Sequence, residues 1–198
     1  WGQNANGIIR IDSGLDIPQA QEKISQSKID YIIQEAATEE KEFDIFYIRS
    51  AENYKNYDLL TIAQLESNTQ ESFPIHSAYN KNSIFKDISS KFSTEEKKIL
   101  WNFMEEIAQF YIARIGIKAE SKAHLLDGKF KVIEINLFTP MPVNLLDKSL
   151  SKKQIQKFIQ ESMYSLAKNI KNIEEQNISK NIFWKKCKKH YQLKYFNS

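Results

Sequence analysis

Two short runs in the second half of the sequence hold the residue types from which a phosphate- and metal-binding surface can be made. They are Ala113-Arg114-Ile115-Gly116-Ile117-Lys118 and Phe130-Lys131-Val132-Ile133-Glu134-Ile135-Asn136. Each predicts a strand, and residues two apart on a strand share a face. Glu134 and Asn136 then lie on one face, with Ile133 and Ile135 on the other. On the partner run Arg114, Gly116 and Lys118 share a face, opposite Ala113, Ile115 and Ile117. Paired as a hairpin, the two strands present a carboxylate, an amide oxygen, a guanidinium and an ammonium together. Hard cations such as Mg²⁺ take oxygen ligands, commonly one or two carboxylates completed by water and phosphate oxygens. Arg and Lys complement the phosphates themselves. The same spacing also fits an ordinary solvated sheet face of alternating charge.

The elements that would position these residues are legible in part. Asp16 and Pro18 mark a helix start, because proline is tolerated in a first turn whose N–H groups lack partners; that helix is expected to run to about Ser27. Ile8 to Ile11 reads as a short strand behind the glycine-containing turn 1–7. Tyr31-Ile32-Ile33 reads as a buried strand, Phe43 to Ile48 as another, and Leu59 to Leu65 as a third after a polar turn over 50–58. Residues 66–92 mix Asn, Ser and Lys with isolated aromatics and give no clear element. Ser93-Thr94-Glu95-Glu96 is a capping box. Behind it Leu100, Phe103, Met104, Ile107, Phe110 and Tyr111 recur at three and four, an amphipathic helix. Trp101 on that helix reads as packing. The two strands, 112–119 and 130–136, are joined by a polar segment ending in the turn signal Asp127-Gly128. A last helix, about 152–170, shows Ile155, Phe158, Ile159, Leu166 and Ile170. The fold class is α+β.

Composition excludes some functions. The 198 residues suffice for one core or two small lobes, and 41% hydrophobic with 27% charged content is that of a globular protein. The net charge of +3 is unevenly placed: residues 181–198 hold five lysines and no acid, and removing them leaves −2 for residues 1–180. The single cysteine, Cys187, excludes an internal disulfide and a multi-cysteine metal site and suits a cytoplasmic location. No run approaches the roughly 18 apolar residues of a membrane span. His76, in Phe73-Pro74-Ile75-His76, could touch substrate but reads as a loop histidine; His124 and His190 have no carboxylate partner visible in sequence.

Lys131-Val132-Ile133-Glu134-Ile135-Asn136 resembles the E-hydrophobic-N magnesium motif of the ATP-grasp enzymes, the superfamily of the D-alanine–D-alanine ligases. Ala113 to Lys118 looks like their R-hydrophobic-D strand. Glu120-Ser121 and Asp127-Gly128-Lys129-Phe130 follow as in a bacterial D-alanine ligase-like subgroup, with Pro142, Asn144 and Asp147 at matching spacing. Residues 1–11 resemble the family's glycine-rich phosphate loop, whose amides approach phosphate where side chains are small, with Gly2 and Gly7 as the small residues. Tyr31 to Ala37 resembles the hinge strand whose backbone reads adenine, which assigns Glu35, Ala36 and Ala37 to the nucleotide, and Glu42 stands where the family places an acid on the ribose hydroxyls. The resemblance covers residues 1 to about 170. It implies an ATP-grasp fold of two α+β lobes: a small-lobe remainder over 1–35, a carboxy-terminal lobe over 36–172 and a basic tail over 173–198. It also implies ATP and Mg²⁺ as cofactors, with Glu134 and Asn136 on the metal, Arg114 on the transferring phosphoryl group or tetrahedral intermediate, and Lys118 as an auxiliary cation. The implied partners are a small-molecule carboxylate and an amine, joined through an acyl phosphate, with a homodimer possible.

The chain departs from this pattern at defined places. Gly116 stands where the family has a metal-sharing aspartate. Met141 replaces the subgroup's glutamate, Asn144 its histidine and Leu137 its glycine. The chain opens on Trp1, and the resemblance places the phosphate-gripping lysine and an amino-terminal domain upstream of it, so a fragment is expected, inactive alone. Two other readings stand beside the ligase: a nucleotide- or protein-binding pseudo-ligase without turnover, favoured by Gly116 and Met141, and polyanion or membrane-surface binding through Phe183 to Tyr191, where basic and aromatic residues interleave. The charge of the body gives no reason to expect a nucleic-acid partner.

Overall fold

The computed structural model describes residues 11, 13–27, 33–68, 82–107, 110–137 and 140–172. The chain divides into two compact units, one containing Gly7–Glu35 and the other Ala36–Asn172.

In the first unit, a 3-10 turn (Gly14–Asp16) leads into α1 (Ile17–Ser27), as the proline and aspartate signals predicted. Asp16 Oδ2 accepts from the backbone N–H of Ser13 at 2.9 Å, which seals the helix entry. The buried strand expected over Tyr31-Ile32-Ile33 is corrected at its describable end. Ile33 is 81% exposed, and no strand forms over 33–39. Tyr31 and Ile32 lie outside the described residues, as do Gly2, Gly7 and residues 8–10 of the strand expected over Ile8 to Ile11; Ile11 itself is exposed and not in a strand.

The second unit is α+β. Its centre is a five-stranded antiparallel sheet of β1 (Lys41–Arg49), β2 (Tyr57–Ser67), β3 (Ser83–Asp87), β4 (Ile112–Ala119) and β5 (Lys131–Asn136), in the order β3-β2-β1-β4-β5. β1 is therefore central and β5 an edge. One face packs Phe43, Ile45 and Tyr47 of β1 with Leu60 and Ile62 of β2 and Ala113, Ile115, Ile117 and Ala119 of β4. Against them lie Leu100, Trp101 and Met104 of α2 (Thr94–Ile107) and Leu125 of α3 (Lys122–Leu126). The period-2 burial that made these strands readable is thus the period of the core face.

α2 begins at the expected capping box, where Glu96 N–H donates to Ser93 Oγ at 3.1 Å and Ser93 N–H to Glu96 Oε2 at 2.8 Å. It ends at Ile107, so Phe110 and Tyr111 do not continue its stripe as the spacing suggested. Their carbonyls instead serve Arg49: Phe110 accepts from Nε at 3.2 Å and Tyr111 from the backbone N–H at 2.8 Å. Arg49 is fully buried, its guanidinium stacked 4.8 Å from the Trp101 ring, and Trp101 in turn donates Nε1–H to the Lys55 carbonyl at 3.0 Å. Trp101 is core packing.

Three further expectations change. The unreadable stretch 66–92 contains β3 and a 3-10 turn (Ser89–Lys91). The polar link before Asp127 holds α3, capped by Ser121, whose Oγ accepts from His124 N–H at 3.2 Å. Gly128 turns the chain at φ +74°, where a Cβ would also lie 2.9 Å from the Phe103 ring. The last helix, α4 (Lys152–Asn172), forms over the expected span; it buries Ser162, Ser165 and Asn169, with Ile155, Phe158 and Leu166 of the expected stripe half-buried. Ile159 and Ile170 are exposed, and Asn169 is held by donating to the Arg49 carbonyl at 2.7 Å.

Among the described residues, no helix is long and apolar enough to cross a membrane.

Candidate functional site

The second face of the sheet carries the chemistry. Antiparallel partners share a face, so the register can be read across it. Arg114 pairs with Asn136 and Gly116 with Glu134 between β4 and β5, while Asp44 pairs with Gly116 and Glu42 with Lys118 between β1 and β4. The hairpin expected from sequence therefore forms with Arg114, Lys118, Glu134 and Asn136 together, and β1 adds Glu42 from the other side. Beyond Gly116 the register slips, Ile117 pairing with Val132, so Ile133 is an extra residue on β5. Towards β2 and β3 the face turns apolar and is covered: Val143 packs on Ala63 and Leu65, and Phe158 of α4 lies 6.2 Å from Phe46. The charged part lies over β1, β4 and β5.

Arg114 is its centre. Nη2 donates to Glu134 Oε1 at 2.7 Å, Nη1 reaches the Met141 carbonyl at 3.5 Å, and Nε stands 3.4 Å from Asp44 Oδ2. The Asp44 side chain is 5% exposed and that of Glu134 50%. Asp44 is the site residue that sequence reasoning missed. Its signal was the Glu42-x-Asp44 spacing, which places both acids on one strand face, hidden within the apolar run Phe43 to Ile48.

Gly116 explains the path of Glu134. A Cβ at residue 116 would lie 2.8 Å from Glu134 Cγ and 3.2 Å from Ile133 Cγ1. Glu134 thus lies over the space a side chain at 116 would fill, and from there reaches Arg114. An aspartate at 116 and the present course of Glu134 exclude each other.

Three carboxylates face two cations here, and burial makes that imbalance matter. Burial raises the Glu42 carboxyl from its ordinary 4.5 to about 7, with Lys118 and Arg114 opposing the rise and Glu134 adding to it. Burial likewise raises Asp44 well above its ordinary value, opposed by Arg114 and reinforced by Glu134 and Glu42. The amide nitrogen Nδ2 of Asn136 is buried there without a hydrogen-bond partner.

The remaining candidates lie elsewhere. Ala36 and Ala37 form part of the irregular lead-in to β1, Ala36 exposed and Ala37 half-buried, while Glu35 is exposed and belongs to the first unit. Asp147 ties β3 to the following chain by accepting from Asp87 N–H at 2.8 Å and Ser149 N–H at 2.8 Å, and Asn144 donates to Asp87 at 3.2 Å. Both are structural in this arrangement. His124 sits on α3, which packs on the other face of the sheet, 2.8 Å from Ser121 Oγ. Gly2, Gly7, His76, Cys187, His190 and the basic tail lie outside the described residues. Comparison with family models, with curated proteins and with solved structures finds no match.

Proposed function

We propose that the face around Arg114 and Glu134 binds the phosphates of ATP together with Mg²⁺, in an ATP-grasp carboxylate–amine ligase that works through an acyl phosphate. The observation that carries this is the β4–β5 register, which gathers Arg114, Lys118, Glu134 and Asn136 on one face beside Glu42 and Asp44. The order of the sequence motifs supports it.

The donor set was tested against a magnesium ion. Among the described residues, no three His, Cys, Asp or Glu side chains close around a point that could hold a metal. Protein alone is thus a poor cage, but Mg²⁺ usually keeps one or two carboxylates and takes its remaining oxygens from phosphate and water. Glu134 fits that pattern, since Oε1 meets Arg114 while Oε2 makes no ion pair or hydrogen bond among the described residues. A dipositive ion also offsets the excess of carboxylates, and the unsatisfied Asn136 amide suits a phosphate oxygen. Glu134 and the Asn136 amide oxygen would hold the metal, which when bound neutralises phosphate charge.

The chain's own residues then do the following. Arg114 places its guanidinium where charge grows on the phosphoryl group as it passes to the substrate carboxylate. Lys118 adds a second positive charge on the same face. Glu42, beside Lys118, supplies an acceptor for a ribose hydroxyl. The amine then attacks the acyl phosphate and phosphate leaves.

Calorimetric titration of ATP with and without Mg²⁺ tests the reading. Glu134→Ala should abolish the Mg²⁺-dependent binding, and unchanged affinity would sink the assignment. A second reading, nucleotide binding without turnover, is favoured by Gly116, which gives β4 no carboxylate. ATP bound by the intact protein, with no phosphate released when carboxylates and amines are supplied, would select it.

A further inference from the structure

Arg114 is gripped by two carboxylates of opposite character. Glu134 comes from the edge strand β5, its side chain is half exposed, and it reaches Arg114 only because residue 116 has no side chain in its path. Asp44 comes from the central strand β1, paired on both sides, and its side chain is 5% exposed. Each meets a different nitrogen: Glu134 accepts a hydrogen bond from Nη2 at 2.7 Å, while Asp44 faces Nε as an ion pair at 3.4 Å, and Nε has no hydrogen-bond partner among the described residues. A guanidinium is a planar fork, so a buried carboxylate beside Nε favours one direction for both terminal nitrogens.

We infer that Asp44 is the positioning residue of Arg114: it holds the guanidinium from the sheet side, so that Arg114 stays aimed at a phosphate when Glu134 turns to a cation. The inference rests on the phosphate-binding reading above. Glu134 is the exchangeable partner and Asp44 the fixed one. Neither role could pass to residue 116, because its Cβ would meet Glu134 Cγ. Asp44 need not touch the ligand.

The test is a double-mutant cycle on the affinity for ADP, measured in EDTA so that Arg114 is read apart from the metal. Asp44→Asn is expected to weaken ADP binding about tenfold, in the range of an interaction with a charged group. Arg114→Lys keeps the positive charge but loses Nε and the fork, so it should weaken binding by a similar factor. The double variant should then bind no more weakly than the poorer single variant, since both remove one aimed guanidinium. The Mg²⁺ concentration that half-restores ATP binding should be the same in Asp44→Asn as in the wild type; a metal ligand would shift it. Multiplying losses, a wild-type-like Asp44→Asn or Arg114→Lys, or a shifted Mg²⁺ requirement would each overturn the positioning role while leaving nucleotide binding intact. If Asp44→Asn does not fold, Asp44→Ser takes its place in the cycle with the same expected loss and the same lack of multiplication with Arg114→Lys. Wild-type protein with no affinity for ADP or ATP would overturn the functional reading and this inference with it.

Discussion

Replacing Glu42 by Gln should flatten part of the pH dependence of stability, with a sign and size that follow from where the carboxyl sits. Burial raises its pKa in the folded protein to about 7 from an ordinary 4.5. The native state therefore binds this proton more tightly than the unfolded chain does. The stabilisation is complete below about 4.5, declines as pH rises, and is gone above about 7. At about 1.4 kcal/mol per pH unit the interval amounts to about 3 kcal/mol. Asp44, also raised, tilts the wild-type curve the same way, so the quantity to measure is the difference between variant and wild type. Urea denaturation near pH 4.5, 6 and 7.5 should show Glu42→Gln gaining on the wild type by about 3 kcal/mol across the series. A difference that does not change with pH would refute the claim that desolvation raises the Glu42 carboxyl.

Two further variants probe the framework. Gly116→Asp should cost about 1–3 kcal/mol in denaturation experiments, because its Cβ lies 2.8 Å from Glu134 Cγ and one of the two must shift; a variant as stable as wild type would mean that Glu134 does not cross that space. Arg49→Met should cost about 2–4 kcal/mol, since it leaves the Tyr54 and Phe110 carbonyls and Glu105 without their donor. A near-neutral Arg49→Met would instead show that apolar packing against Trp101 replaces those bonds.

What the sequence disclosed here was local. Alternation fixed the faces of Arg114, Lys118, Glu134 and Asn136, and the Ser93–Glu96 pair fixed where α2 starts, because both depend on neighbours a few residues away. What it concealed was long-range or masked by composition. Asp44 belongs with Arg114 only because β1 pairs with a strand about 70 residues later, and no local pattern carries that register. β1 also has apolar residues on both faces, since Phe46 is covered by Phe158, so its alternation does not show. β3 is a short edge strand of mixed polarity, and α3 has five residues, too few to display a helical period. In α4 the apolar stripe was visible but incomplete: Ile155, Phe158 and Leu166 are half-buried, while the most buried positions are Ser162, Ser165 and Asn169, and Asn169 donates to the Arg49 carbonyl.

The strand order gives the two sides of the charged face different lifetimes. Among the described residues, β1 hydrogen-bonds to β2 and β4 along its length and β5 only to β4. The amides around Glu42 and Asp44 should therefore exchange with deuterium only on global unfolding, while those around Glu134 and Asn136 exchange through local opening of an edge. A ligand that bridges the two sides would slow exchange in β5 and leave β1 unchanged, so occupancy would be visible on one strand alone.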